Sequence, residues 1–128
     1  MKEAQVIDGT QQIRSHKDLI VWQKAMQLVE DVYRTTADFP SGERFGLTAQ
    51  MRRSAVSVAS NISEGSARQT GKEFLQFLYI ARGSLCELET QIEISCRLGF
   101  LPRPTPLDSE LTAVGRMLSA LIRRLRPS

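Results

Sequence analysis

Residues 70–99 read TGKEFLQFLYIARGSLCELETQIEISCRLG, and this stretch decides the fold. Thr70 and Glu73 match a capping box, in which the Thr hydroxyl accepts a hydrogen bond from the backbone N–H three residues on. Apolar residues then recur at Phe74, Leu78, Ala81, Leu85, Leu88 and Ile92, spaced four, three, four, three and four, the period of a helix with one buried stripe. Gly99 supplies the left-handed residue on which many helices end. A helix over about 71–98, roughly 40 Å long with a single apolar stripe, must bury that stripe against other helices.

The flanking sequence repeats the pattern. Downstream, Pro102, Pro104 and Pro106 prevent continuation, and Thr105 can cap a helix that has Pro106 in its first position. Its stripe is Leu107, Leu111, Val114, Leu118, Leu121 and Leu125, predicting a helix over about 106–126. Upstream, Leu47, Met51, Ala55, Val58 and Ile62 mark a helix over about 42–65, capped by Ser41 and ended by Gly65. Gly83, alone inside the third helix, reads as a point of close helix approach. Before Phe39-Pro40-Ser41-Gly42, the apolar residues Leu19, Trp22, Met26, Val29 and Tyr33, widened by Val21, Ala25, Leu28 and Val32, predict a first helix over about 18–37 with Asp18 as its cap. Residues 1–16 lack sustained periodicity and read as a loose leader, and no strand-like alternation of useful length occurs anywhere. Short connections make successive helices antiparallel neighbours, so the expected architecture is an all-α, up-down-up-down four-helix bundle over 17–126.

At 128 residues, 41% hydrophobic and 24% charged, the chain fits one domain that folds without disulfides or metals. No leader peptide opens it, and its longest uncharged run, Ser54 to Ser63, is far shorter than the roughly 20 residues of a membrane helix. Cys86 and Cys96 lie about 15 Å apart along one helix, too far to bridge, and read as small buried hydrophobes. A reducing cytoplasm is the expected compartment.

The lone histidine, His16, precedes the first helix, which removes paired Glu-x-x-His di-iron sites, zinc sites of ordinary spacing and His-based triads. No Gly-rich phosphate loop occurs either. The expectation is a protein without enzymatic activity, cofactor or metal.

Charge carries more information. The net +3 is mild, but 13 of the 17 basic residues are Arg, the planar fork suited to carboxylates and phosphates. Residues 44–72 and 97–128 carry +4 each, whereas 73–96 carry −3. Candidate phosphate contacts are Arg44, Arg52, Arg68 and Lys72 around the second helix, and Arg123, Arg124 and Arg126 at the end of the fourth. The last three also complement a helix dipole. Trp22, Tyr33, Phe74 and Phe77 lie on or beside apolar stripes and read as core rather than as base-stacking platforms. The small and β-branched run Ser54–Ser60 points to close packing on another helix. Arg53, Asn61, Glu64, Glu87 and Glu89 form a candidate structural polar network, with one of the two helix-three carboxylates pairing inward with Arg53.

Four segments together resemble a known family. They are Asp18-Leu19-Ile20-Val21-Trp22-Gln23-Lys24-Ala25, Ser60-Asn61-Ile62-Ser63-Glu64-Gly65, Arg68-x-Thr70-x-Lys72-Glu73-Phe74-Leu75, and Ala81-Arg82-Gly83-Ser84-Leu85-x-Glu87-Leu88-Glu89-Thr90-Gln91. In this order they resemble the bacterial four helix bundle proteins, also called 23S ribosomal RNA intervening-sequence proteins, over about 16–101. Ser63 stands where that family usually has Ala. The resemblance implies a bundle that assembles into a ring, typically a homopentamer, with no established enzymatic activity. The family is similar in turn to the accessory variability protein of diversity-generating retroelements, a basic pentameric bundle that binds nucleic acid. Two functions are therefore expected of this chain: a homo-oligomer that binds RNA or DNA through Arg-rich surfaces, or a protein-interaction scaffold whose charge blocks serve subunit assembly or partner docking.

Overall fold

The structure is a computed structural model that describes residues 19–127, His16, and the backbone of Gln5–Val6 and Gln12–Ile13. Four helices account for the chain from residue 20 onward: α1 (Ile20–Thr36), α2 (Leu47–Ser66), α3 (Gly71–Arg97) and α4 (Leu107–Leu125). Within 1–16, two short strands, β1 (Gln5–Val6) and β2 (Gln12–Ile13), pair antiparallel with Gln5 opposite Ile13 and Val6 opposite Gln12. Two residues per strand leave too little sequence for an alternating pattern to register. The expected Asp18 cap lies outside the described residues; Leu19 precedes α1 and makes no side-chain cap.

The long third helix follows its stripe. Phe74, Leu78, Ala81, Leu85, Leu88 and Ile92 are all buried, and the Thr70 side chain accepts from Glu73 N at 3.1 Å. Its far end is a Schellman motif. Gly99 has φ +82°, its N–H donates to Cys96 O at 3.1 Å, and Phe100 N donates to Ser95 O at 2.8 Å.

α4 starts one residue after the expected Pro106. Thr105 and Asp108 hold that start reciprocally: Leu107 N donates to Thr105 Oγ1 at 3.3 Å and Thr105 N donates to Asp108 Oδ2 at 3.1 Å.

The second helix departs from expectation at both ends. Residues Ser41–Glu43 form a separate 3-10 turn without a side-chain cap, and Glu43, not Ser41, reaches the helix start by accepting from Leu47 N at 3.1 Å. Gly65 does not terminate α2. It is buried inside the last turn, where an added Cβ would lie 2.7 Å from Phe77 Cβ and 2.8 Å from Phe74 Cδ1. The close approach assigned to Gly83 belongs here instead, since nothing lies within 4 Å of a Cβ built on Gly83.

The most extensive helix–helix contact is between α2 and α3. Met51 meets Ser95, Ser57 meets Ser84, and Gly65 meets Phe74 and Phe77, so these two helices run in opposite senses. α1 packs on α2 and α4, and α3 packs on α4. In α1 the buried residues are Val21, Ala25, Leu28 and Val32, while Met26 and Tyr33 are exposed. The core line thus runs one residue away from the expected stripe, because an apolar face this broad does not define its own centre. Among the described residues, no helix is long and apolar enough to cross a membrane.

Candidate nucleic-acid interface

The turn between α2 and α3 and the last turn of α4 meet: a Cβ on Gly71 would contact Leu125 Cδ2 at 3.8 Å. That contact gathers five of the seven candidate phosphate-binding residues, Arg68, Lys72, Arg123, Arg124 and Arg126, at one end of the molecule. All five side chains are exposed. Arg68 lies over the Phe77 ring at 4.7 Å. The C-terminal end of α4 contributes its dipole at the same place, which favours the cations there in the free protein.

Arg44 and Arg52 are elsewhere. Arg44 precedes α2 and Arg52 stands in its second turn, so about 30 Å and about 20 Å of helix, respectively, separate them from this end. Arg52 is committed to the fold. Its Nε donates to Thr36 Oγ1 at 2.9 Å, its Nη2 donates to Tyr33 O at 3.2 Å, and its guanidinium lies 4.5 Å from the Tyr33 ring centroid, clamping the end of α1 to α2. Arg44 is exposed over Phe45, which at 88% exposure is the most accessible large apolar side chain among the described residues. Of the aromatics expected in the core, Phe74 is buried, Trp22 and Phe77 are half-buried, and Tyr33 is exposed beneath Arg52.

The candidate polar network takes a different form. Asn61 Nδ2 donates to Ser57 O at 2.8 Å and to Ser57 Oγ at 3.1 Å, and Ser57 Oγ shares a 2.8 Å hydrogen bond with Ser84 Oγ across α2 and α3. Arg53, Glu64, Glu87 and Glu89 are exposed, and no ion pair within the chain joins Arg53 to either helix-three carboxylate. At this level of the α2–α3 contact two small hydroxyls meet, and the long charged side chains lie outside it. Val56 (40% exposed) stands one turn from Arg53 on α2, and Ile80 (53%), Gly83 and Glu87 follow at helical spacing on α3, so each helix exposes an apolar side chain with one charge on its own face.

Ion pairs also form at a distance from the basic end. Glu93 accepts from Arg97 Nε at 2.8 Å and from Arg103 Nη2 at 2.8 Å, and the two guanidinium groups, Arg103 foremost, hold its carboxyl down to about 2. Arg34 pairs with Asp31 at 2.7 Å. On the α1–α4 side, burial, followed by a hydrogen bond with Asp31 and that residue's charge, pushes Glu110 up to about 7, against the opposing charges of Lys24 and Arg34. Cys86 is exposed and Cys96 half-buried with its thiol 3.6 Å from Pro102 O, so neither is the buried hydrophobe its helical position predicted. Among the described residues, no cluster of three or more His, Cys, Asp or Glu side chains is arranged to hold a metal ion.

Two further basic residues stand outside the seven candidates. Arg82 and Arg116 line, with Arg123, an open groove of about 690 Å³ between α3 and α4. Arg82 sits in the acidic segment of the chain, and net charge by segment conceals it. The signal that finds the other is helical: Arg116 and Arg123 are seven apart, two turns along one face.

The sequence profile described as 23S rRNA-intervening sequence protein matches residues 17–120. The chain belongs to this family. Among solved structures, a protein of unknown function from the S23 ribosomal protein family of Bacteroides thetaiotaomicron is similar, with a TM-score of 0.74 at 21% identity. The match covers 81% of this chain and 96% of that one, and at this identity it establishes the four-helix fold that the 23S rRNA-intervening sequence protein family and that structure share. No curated protein matches the chain significantly.

Proposed function

We propose that this member of the 23S rRNA-intervening sequence protein family is a non-enzymatic homo-oligomer that binds RNA or DNA through its basic end. The observation that carries the reading is the convergence of Arg68, Lys72, Arg123, Arg124 and Arg126 where the α2–α3 turn meets the end of α4. Clustered cations on one face are the electrostatic footprint of a polyanion site. Repetition of that face around an assembly multiplies its field.

Self-association is supported by the α2–α3 face. Val56 on α2 and Ile80 on α3 are exposed apolar side chains, Arg53 and Glu87 on the same two helices are exposed and unpaired, and Gly83 leaves room for another helix to approach. A pentameric ring, the assembly the family resemblance implies, uses such a face repeatedly. Light scattering is expected to give a multimer of the 14.4 kDa chain, and Arg53→Glu to dissociate it.

The test of binding is fluorescence anisotropy of labelled RNA and DNA against nuclease-treated protein over a salt series. Log affinity falling with log salt by about 0.7 per neutralised phosphate for single strands, or 0.9 for duplex, is the expected result. Absence of binding at low salt overturns the reading. In that case, dissociation of the oligomer by Arg53→Glu favours the scaffold role, in which the charge blocks serve assembly.

A further inference from the structure

The groove between α3 and α4 presents cations without the partners that would neutralise them. Arg82 and Cys86 line it from α3, Arg116, Ser119 and Arg123 from α4, and it is open along its length with a volume of about 690 Å³. Glu89 is its one carboxylate, and no ion pair joins it to any of the three arginines. The helix dipole accounts for Arg123 in the last turn of α4 but not for Arg116 two turns earlier, since that field fades within a turn. Arg82 lies 5.2 Å from the Tyr79 ring centroid, and that contact occupies a guanidinium face rather than its N–H edge.

From this arrangement we infer that the α3–α4 groove carries the sugar-phosphate backbone of a single-stranded nucleic acid, leading it from the basic end past Arg123 and Arg116 to Arg82. The inference rests on the nucleic-acid reading above and locates the path of the strand. Two features select this occupant. Three arginines line the groove against a single carboxylate, a balance that favours a polyanion, and no exposed large apolar side chain lines it. No aromatic side chain lines it, so contacts fall on phosphates and the base sequence is not read.

Cys86 gives a direct probe, because it is exposed within the groove. In a Cys96→Ser background, a 20-nucleotide oligouridylate is expected to slow maleimide modification of Cys86 at least fivefold. In a separate measurement, Arg82→Glu combined with Arg116→Glu is expected to weaken oligouridylate binding at least tenfold and to make the salt slope shallower by about 1.4, two phosphates at about 0.7 each. Circular dichroism of that variant is expected to match the parent, since both side chains are exposed. Binding that Lys72→Glu with Arg126→Glu abolishes, while the groove variant binds normally and Cys86 stays reactive, overturns the groove and leaves the basic end standing. Failure of the parent protein to bind at low salt overturns both. Cys86 that resists maleimide in the free protein, or that polyglutamate protects as well as oligouridylate does, also overturns the inference, the first by showing the groove covered and the second by showing an acidic protein segment to be an equal occupant.

Discussion

A methyl group on Gly65 would collide with Phe74 and Phe77, whose nearest atoms stand 2.8 and 2.7 Å from the added carbon. Both partners are aromatic side chains anchored on α3, and the Phe77 atom is its Cβ, which cannot move away without the backbone. Gly65→Ala is therefore expected to destabilise the fold by about 1–3 kcal/mol, the cost of overpacking, read from urea unfolding. Gly83→Ala is expected to act in the other direction. Its side chain would enter open space within the chain, so under conditions where the subunits are dissociated, replacing Gly by Ala there is expected to stabilise by about 0.5–1 kcal/mol, while crowding the face on which another subunit's helix is proposed to pack. Sequence alone assigns these roles the wrong way round, because a glycine near a helix end suits a cap and one in mid-helix suits a close approach, and only the position of the neighbouring helix distinguishes them. Arg52 shows the same limit. In the chain it stands beside Arg53 in an arginine-rich segment, yet its two hydrogen bonds to Thr36 and Tyr33 make it a structural clamp. Arg52→Ala is expected to lower stability by about 1–3 kcal/mol while leaving nucleic-acid affinity within twofold, with unfolding and anisotropy as the two measurements.

Among the elements, α3 and α4 were fully legible because their narrow stripes, the Thr70 and Thr105 caps and Gly99 all point to the same boundaries. α1 was legible as a helix, but not in which of its apolar residues face the core. The start of α2 was misplaced because Ser41 and Glu43 are both sound capping residues, and choosing between them needs the geometry of the intervening turn. The meeting of α1 and α4 has a pH dependence of its own. Glu110 has its pKa raised from an ordinary 4.5 to about 7 by burial and by Asp31. The folded state therefore binds more protons than the unfolded chain between those values, and its contribution, complete below about 4.5, is lost as pH rises through about 7. Solvent screening of this partly exposed carboxyl keeps the effect to on the order of 1 kcal/mol. The melting temperature is expected to fall between pH 5 and pH 8, and Glu110→Gln to flatten that fall. A wild-type melting temperature that rises over this interval, with Glu110→Gln following it, contradicts the assignment.

At the scale of the whole molecule, charge is organised by three-dimensional proximity. The segment totals of the sequence mark both halves of the basic end, since Arg68 and Lys72 flank the start of α3 and Arg123, Arg124 and Arg126 lie at the end of α4, and folding brings the two groups together. They also swept in Arg44 and Arg52, which α2 places at a distance, and hid Arg82 inside the acidic segment 73–96, whereas Arg116 lies within the basic segment 97–128 and is singled out by its helical spacing to Arg123. The central claim is that nucleic acid is held at that end. It is tested most directly by comparing the affinity of a single-stranded oligonucleotide for the parent protein, for Lys72→Glu with Arg126→Glu, and for Arg44→Glu, at one low salt concentration. The account predicts at least a tenfold loss for the basic-end variant and less than a twofold change for Arg44→Glu. Equal losses for the two variants, or unchanged binding by the basic-end variant, would contradict it.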